Sequence, residues 1–304
     1  MTMNSEQQVR QGVLYAIAAH TMWGVAPIYL KAVDQVSPAE ILAHRVIWSF
    51  VLLALLLHFG RRWGQVIGML RHKPTLICLL STSVLIGVNW LTLIWGVNHH
   101  HMLDVSLGYY INPLLNVILG MIFFQERLRS FQWLAVGLAG IGVFIQLIAF
   151  GSIPVIAIVI ALSFGGYGLL RKKVSVDSQA GLFIETMLML PAAMIYLFGF
   201  ANSFTSDLTT NSWTLNLLLF FAGVVTTAPL LCFTSAATRI KLSTLGFFQY
   251  IGPSLMLLLA VGVYGESFSL DKTITFGFIW TSLVIFSIDG FYQNRKSRQS
   301  QPAA

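Results

Sequence analysis

The sequence predicts an all-α integral membrane protein: ten transmembrane helices in two inverted five-helix repeats, with both termini cytoplasmic. Three observations predict it. Apolar runs long enough to cross a bilayer recur along the whole chain, the basic residues gather in alternate connections, and distinctive residues return at a constant offset. Of the 304 residues, 56% are hydrophobic and only 10% are charged, and the mean hydropathy is +0.76. Soluble domains carry about 25% charged residues. Runs of about 20 apolar residues belong in lipid, and the polar sequence between them is too short for a separate soluble domain.

Breakers and charges divide the chain into spans near 11–33, 38–59, 74–97, 103–124 and 130–149, then 152–170, 181–201, 213–236, 243–264 and 270–291. Backbone groups in hydrocarbon must satisfy their own hydrogen bonds, so these runs are helices. The first run follows a polar start and lacks an A-x-A-like cleavage site, which predicts retention in the membrane. Between the second and third spans, Trp63, Val66, Ile67 and Leu70 share one helical face flanked by basic residues. That pattern predicts a short helix lying on the cytoplasmic leaflet as an anchor.

The net charge of +7 does not imply nucleic acid, because of where the charges lie. With the N-terminus inside, the cytoplasmic segments hold Arg10, Arg61, Arg62, Arg71, Lys73, Arg127, Arg129, Arg171, Lys172, Lys173, Arg239, Lys241, Arg295, Lys296 and Arg298. The outer loops hold Lys31 and Lys272, and Arg45 lies within a span. Fifteen against two is the positive-inside asymmetry of an inner-membrane protein. Cys78 and Cys232 fall in apolar runs and read as buried small side chains, with no disulfide framework.

A shift of 140 residues aligns Tyr110-Ile111-x-Pro113 with Tyr250-Ile251-x-Pro253, Glu126 with Glu266, Gly137 with Gly277, Lys31 with Arg171, and the turn at Ser37 with that at Asp177. This divides the chain into halves 1–150 and 151–304, together one membrane domain. Five spans per half is an odd number, so the second copy enters the membrane upside down. Inverted repeats are a transporter architecture, with a substrate site near the bilayer midplane and alternating access by rocking.

The stretches QGVLYAIAAHTMWGVAPIYLK, ILAHRVIWSF, GVNWLTLIWGVNHHHMLDVSLGYYINPLLNVILGMIFFQERL, RKKV, PLLCFTSAATRIKLSTLGFFQYIGPSLMLLLAVGVYGE and IWTSLVIFSID resemble the EamA branch of the drug/metabolite transporter superfamily, in its RarD (chloramphenicol-sensitivity permease) type. The resemblance covers residues 8–292. It implies ten helices in two inverted repeats, an inner-membrane location and export of small metabolites or drugs, without defining a substrate.

Pro113 and Pro253 stand in the middle of the fourth and ninth spans, and each frees the carbonyl four residues back, at Tyr109 and Gln249. Paired breaks at corresponding positions point to the binding site of a transporter. Tyr109, Tyr110, Asn112, Gln249 and Tyr250 around them are expected to line it, with Asn116 beside them. Arg45, about eight residues into the second span, costs about 2.5–3.5 kcal/mol if unpaired at the centre of a helix. It reads either as a guanidinium recognising an anionic group or as a side chain reaching for the outer headgroups. Its partner at the 140 offset is Glu185, a candidate proton-coupling carboxyl whose pairing with Arg45 the sequence leaves open. Trp23, Asn89, Trp90 and Tyr167 add a partly aromatic wall, suited to an amino-acid-like or aromatic solute.

His99 and Asp104 match an H-x-x-x-x-D spacing, but consecutive histidines cannot converge on one metal from a helix, so no metal or catalytic site is assigned. The chain lacks G-x-x-x-x-G-K-[ST], hence a P-loop, and no cofactor is implied. The expected partners are a small-molecule substrate, membrane lipid and protons, with monomer and homodimer both open. A membrane enzyme acting on a lipid-linked substrate is the competing reading; it lacks a catalytic constellation in either half. A metabolite uptake carrier differs only in direction. A scaffold would not need Arg45 and Glu185.

Overall fold

The computed structural model describes residues 5–99, 101–151, 153–201, 203, 205–263, 265 and 270–299. Among the described residues, ten helical segments are long and apolar enough to cross a membrane. In order they are α1 (Ser5–Ala32), α2 (Pro38–Phe59), a short α3 (Trp63–Arg71), α4 (Lys73–Asn98), α5 (Met102–Phe124), α6 (Ser130–Phe150), α7 (Val155–Val174), α8 (Ser178–Ile195), α9 (Trp213–Ala237), α10 (Leu242–Gln249), α11 (Ile251–Gly262) and α12 (Leu270–Gln299). A π-helical turn, Tyr196–Phe200, extends α8 to the length of a span. The ninth span is α10 and α11 together.

Local chemistry sets these boundaries. Ser37 caps α2 by accepting from the Glu40 N–H at 3.3 Å, with Pro38 in the first turn. Asp177, 140 positions later, caps α8 by accepting from the Gln179 and Ala180 N–H groups. α3 forms where the amphipathic stretch predicts it, with Val66 buried and Trp63, Ile67 and Leu70 exposed.

Two expectations are corrected and a third holds. α7 runs through Arg171, Lys172 and Lys173 into its last turn, where cations meet the negative end of the helix; they are not loop residues. α5 continues through Pro113, so that proline does not break its helix. α10 packs against α5 there, so close that a Cβ on Gly246 would lie 2.7 Å from the Pro113 carbonyl. In the ninth span the ladder does end, at Tyr250, because Pro253 offers no N–H to Gln249.

Eight spans close into a ring. Following the main helix contacts, α1 packs on α11, α10 on α5, α5 on α7, α7 on α4, α4 on α8, α8 on α2, α2 on α9, and α9 on α1. α6 and α12 pair with each other outside the ring, and α6 also touches α5. α2 and α5 therefore stand on opposite sides of the ring interior. At one end of the bundle α1 begins and α2, α5, α7 and α9 finish, with most of the arginines and lysines; this is the basic end. The opposite end is poor in charge.

Candidate functional site

Arg45 and Tyr109 occupy the same depth on opposing walls. Each is the eighth residue of a helix that starts at the charge-poor end, about 12 Å along at 1.5 Å per residue. Tyr109 is 38% exposed despite that depth, and it lies in electrostatic reach of the Arg45 guanidinium, as does Tyr29. Nε of Arg45 donates to Thr226 Oγ1 of α9 at 2.7 Å, and its guanidinium lies over the Trp90 ring of α4, 4.9 Å from the centroid. Among the described residues Arg45 joins none of the ion pairs. Its terminal nitrogens are also absent from the buried polar atoms that lack a partner. They face open space inside the ring.

Beneath this chamber an aromatic cluster fills the ring. Trp23 of α1 packs on Phe164 of α7 and Phe233 of α9, with centroids 5.7 and 5.8 Å away. Phe164 and Phe233 meet at 5.0 Å, Tyr167 stacks on Phe233 at 6.0 Å, and His20 lies 5.3 Å from Trp23. His20 is buried, and its Nε2 has no partner. Three walls of the ring thus converge on one apolar floor.

Below the floor, Glu185 of α8 pairs with Arg171 of α7 at 3.4 Å, and both side chains are nearly inaccessible. Thr82 of α4 donates to the same carboxylate at 2.6 Å, and the Tyr167 hydroxyl at 3.2 Å. Ser83 Oγ donates to the Glu185 backbone carbonyl. A Cβ on Gly181 would meet the Arg171 guanidinium, which would have to shift to admit it. The acid and base therefore neutralise each other in the interior, and Arg45 is not the partner of Glu185.

The remaining expected residues divide by location. Asn89 donates to the Ile160 carbonyl and to Ser163 Oγ, tying α4 to α7. Asn116 donates to Gln249 Oε1 at 2.9 Å where α5 meets α10. Asn112, on α5, is buried with Oδ1 unpartnered. Tyr110 and Tyr250 turn toward the peripheral helices: Tyr110 meets Phe276 edge-on, and both pack with Ala139 and Ile279. A depression formed by Leu91, Thr92, Ile94, Trp95 and His99 along α4 contains none of these residues.

The basic end is sealed by polar contacts. Glu126, just after α5, accepts from the Leu242 and Ser243 N–H groups at 2.7 and 2.9 Å and from Ser243 Oγ at 2.7 Å, capping α10. Lys172 reaches Glu126 at 4.0 Å and donates to the Ile240 and Ala237 carbonyls. Arg62 pairs with Asp177, and Ser235 Oγ donates to Ser178 Oγ. Glu266, aligned with Glu126 in the sequence, lies outside the described residues.

Sequence reasoning missed Thr226, Thr82, His20, Phe164 and Phe233, which are ordinary residues within apolar runs. Arg171 had a signal: Lys31 to Arg45 and Arg171 to Glu185 are the same distance apart in the chain.

Ten spans among the described residues, eight of them closed into a ring with an arginine on its inner wall, define a polytopic membrane protein. The EamA-like transporter family model matches residues 10–148 and again 152–288. The chain belongs to that family. A transporter of Vibrio cholerae, described as uncharacterized, is 63% identical over 302 residues, covering 99% of this chain and 100% of its own. Protein RarD of Escherichia coli is 55% identical, covering 96% of this chain and 98% of its own. A crystal structure at 17% identity superposes with a TM-score of 0.70 over 90% of this chain and 96% of its own, which shows a shared fold. The protein is a multi-pass inner-membrane transporter.

Proposed function

We propose that the protein is a secondary transporter that exports small metabolites or drugs of amino-acid-like or aromatic character, by alternating access to the chamber between α2 and α5. The observation that carries this reading is the pairing of Arg45 and Tyr109 across an open interior, above an aromatic floor and a sealed basic end. Positive-inside asymmetry assigns the basic end to the cytoplasm, so the conformation described is closed to the cytoplasm. The double family match and the Tyr110–Tyr250 contact, both spaced as the 140-residue repeat requires, support two inverted copies, 1–150 and 151–304. Rocking one copy against the other then opens the basic end.

Glu185 has a place in that cycle. Protonation would cancel the charge that Arg171 pairs with and loosen the junction of α4, α7 and α8, which makes this carboxyl the point where a proton gradient can act. Site residues at the chamber are Arg45, Trp90 and Tyr109; Trp23 and Tyr167 form its floor; Asn89 and Gln249 tie neighbouring wall helices together, Asn112 lies buried on α5, and Tyr110 and Tyr250 pack outward toward α6 and α12.

The test compares metabolites in cells and spent medium among a deletion strain, the wild type and an Arg45→Ala strain, with amino acids, aromatic metabolites and chloramphenicol included. A compound released by wild type and retained by both others supports export through this site. Equal profiles in the three strains would count against it.

A further inference from the structure

We infer that Arg45 forms an anion subsite for the carboxylate of a small organic acid, the ligand bringing the acid that the second half carries as its own Glu185. This inference rests on the two-copy reading of the chain.

The 140 offset carries Lys31 onto Arg171 and Arg45 onto Glu185. In the second half these positions hold a cation and an anion, which neutralise each other at 3.4 Å. In the first half both are cations. The surroundings correspond as well. Glu185 of α8 is held by a threonine of α4; Arg45 of α2 is held by a threonine of α9, within one turn of the matching position. Where the second half has a threonine-held acid, the first half thus has a threonine-held cation, Arg45.

Among the described residues no ion pair brings a carboxylate to Arg45. Glu185 is taken by Arg171. Glu40, five residues before Arg45, is buried and accepts from Thr205 Oγ1 at 2.7 Å, and it makes no ion pair with Arg45 among the described residues. Thr226 takes Nε, and Trp90 covers one face of the guanidinium. The terminal nitrogens remain open to the chamber, a fork that matches a carboxylate. Trp90 against the guanidinium and the exposed Tyr109 on the opposing wall favour an aromatic or apolar body on the acid.

The test uses purified full-length protein in phosphatidylcholine nanodiscs, with thermal stability followed as ligand is added. Benzoate is the probe; benzyl alcohol and benzylamine are its neutral and cationic counterparts, and a fourth arm replaces part of the lipid with phosphatidylglycerol. The expected result is saturable stabilisation by benzoate alone among the soluble probes. The affinity should fall at least tenfold in Arg45→Gln and be partly kept in Arg45→Lys, with both variants melting cooperatively without ligand. Equal effects of benzoate and benzyl alcohol, or an unchanged benzoate affinity in Arg45→Gln, overturn the inference. Stabilisation by phosphatidylglycerol that needs Arg45, without any by benzoate, also overturns it, because the subsite would then hold a lipid headgroup. Benzoate binding through Arg45 with no metabolite difference among the strains would leave the subsite standing and remove the export reading. The opposite pair of results would remove the subsite alone.

Discussion

The Tyr250 hydroxyl donates to the backbone carbonyl of Tyr110 at 3.2 Å, and the two residues are 140 positions apart. The contact ties α5 to the joint of α10 and α11. The bond is one-sided, since Tyr110 contributes its carbonyl. Tyr250→Phe should therefore lower stability by about 0.5–1.5 kcal/mol, the usual net worth of one hydrogen bond. Tyr110→Phe should leave that bond intact and change stability less. Thermal melts of the two variants check the difference.

The Arg171–Glu185 pair predicts a pattern that no surface ion pair would give. Removing one partner strands a charge in the interior at a cost of about 3–5 kcal/mol, whereas replacing both with apolar side chains can be neutral. Arg171→Met should thus be strongly destabilised, and Arg171→Met with Glu185→Leu should recover most of the loss. A double-mutant cycle on melting temperatures measures the coupling.

Gly181 packs where its Cβ would meet the same guanidinium. Gly181→Ala should cost about 1–3 kcal/mol by overpacking. The cost should shrink when Arg171 is already methionine, which the same melts would reveal.

Glu126 predicts the strength of the seal at the basic end. It satisfies two N–H groups at the start of α10 and one hydroxyl. Glu126→Ala should lose about 1–2 kcal/mol, as for other lost helix caps, and should raise hydrogen exchange at Leu242 and Ser243 before it does so elsewhere in α10.

Much of the fold was legible because lipid imposes it. Span lengths, the surface helix α3 and the caps at Ser37 and Asp177 follow from apolar runs and turn chemistry. The site was legible only in outline. Arg45 announced itself as a charge inside an apolar run. Its neighbours Thr226 and Trp90 come from α9 and α4, and their approach is set by which helices adjoin in the ring, which no local pattern encodes. For the same reason Arg171 read as a loop cation: one extra turn of α7 carries it inward to Glu185. Pro113 and Pro253 are matched in sequence, yet only the second interrupts its helix.

The central claim is a chamber around Tyr109 and Arg45 that is closed at the basic, cytoplasmic end. It is tested most directly by labelling Tyr109→Cys in a Cys78→Ser, Cys232→Ser background with a membrane-impermeant maleimide, applied separately to right-side-out and inside-out vesicles. Faster labelling in right-side-out vesicles is the predicted result. Labelling only in inside-out vesicles, or in neither, would contradict it.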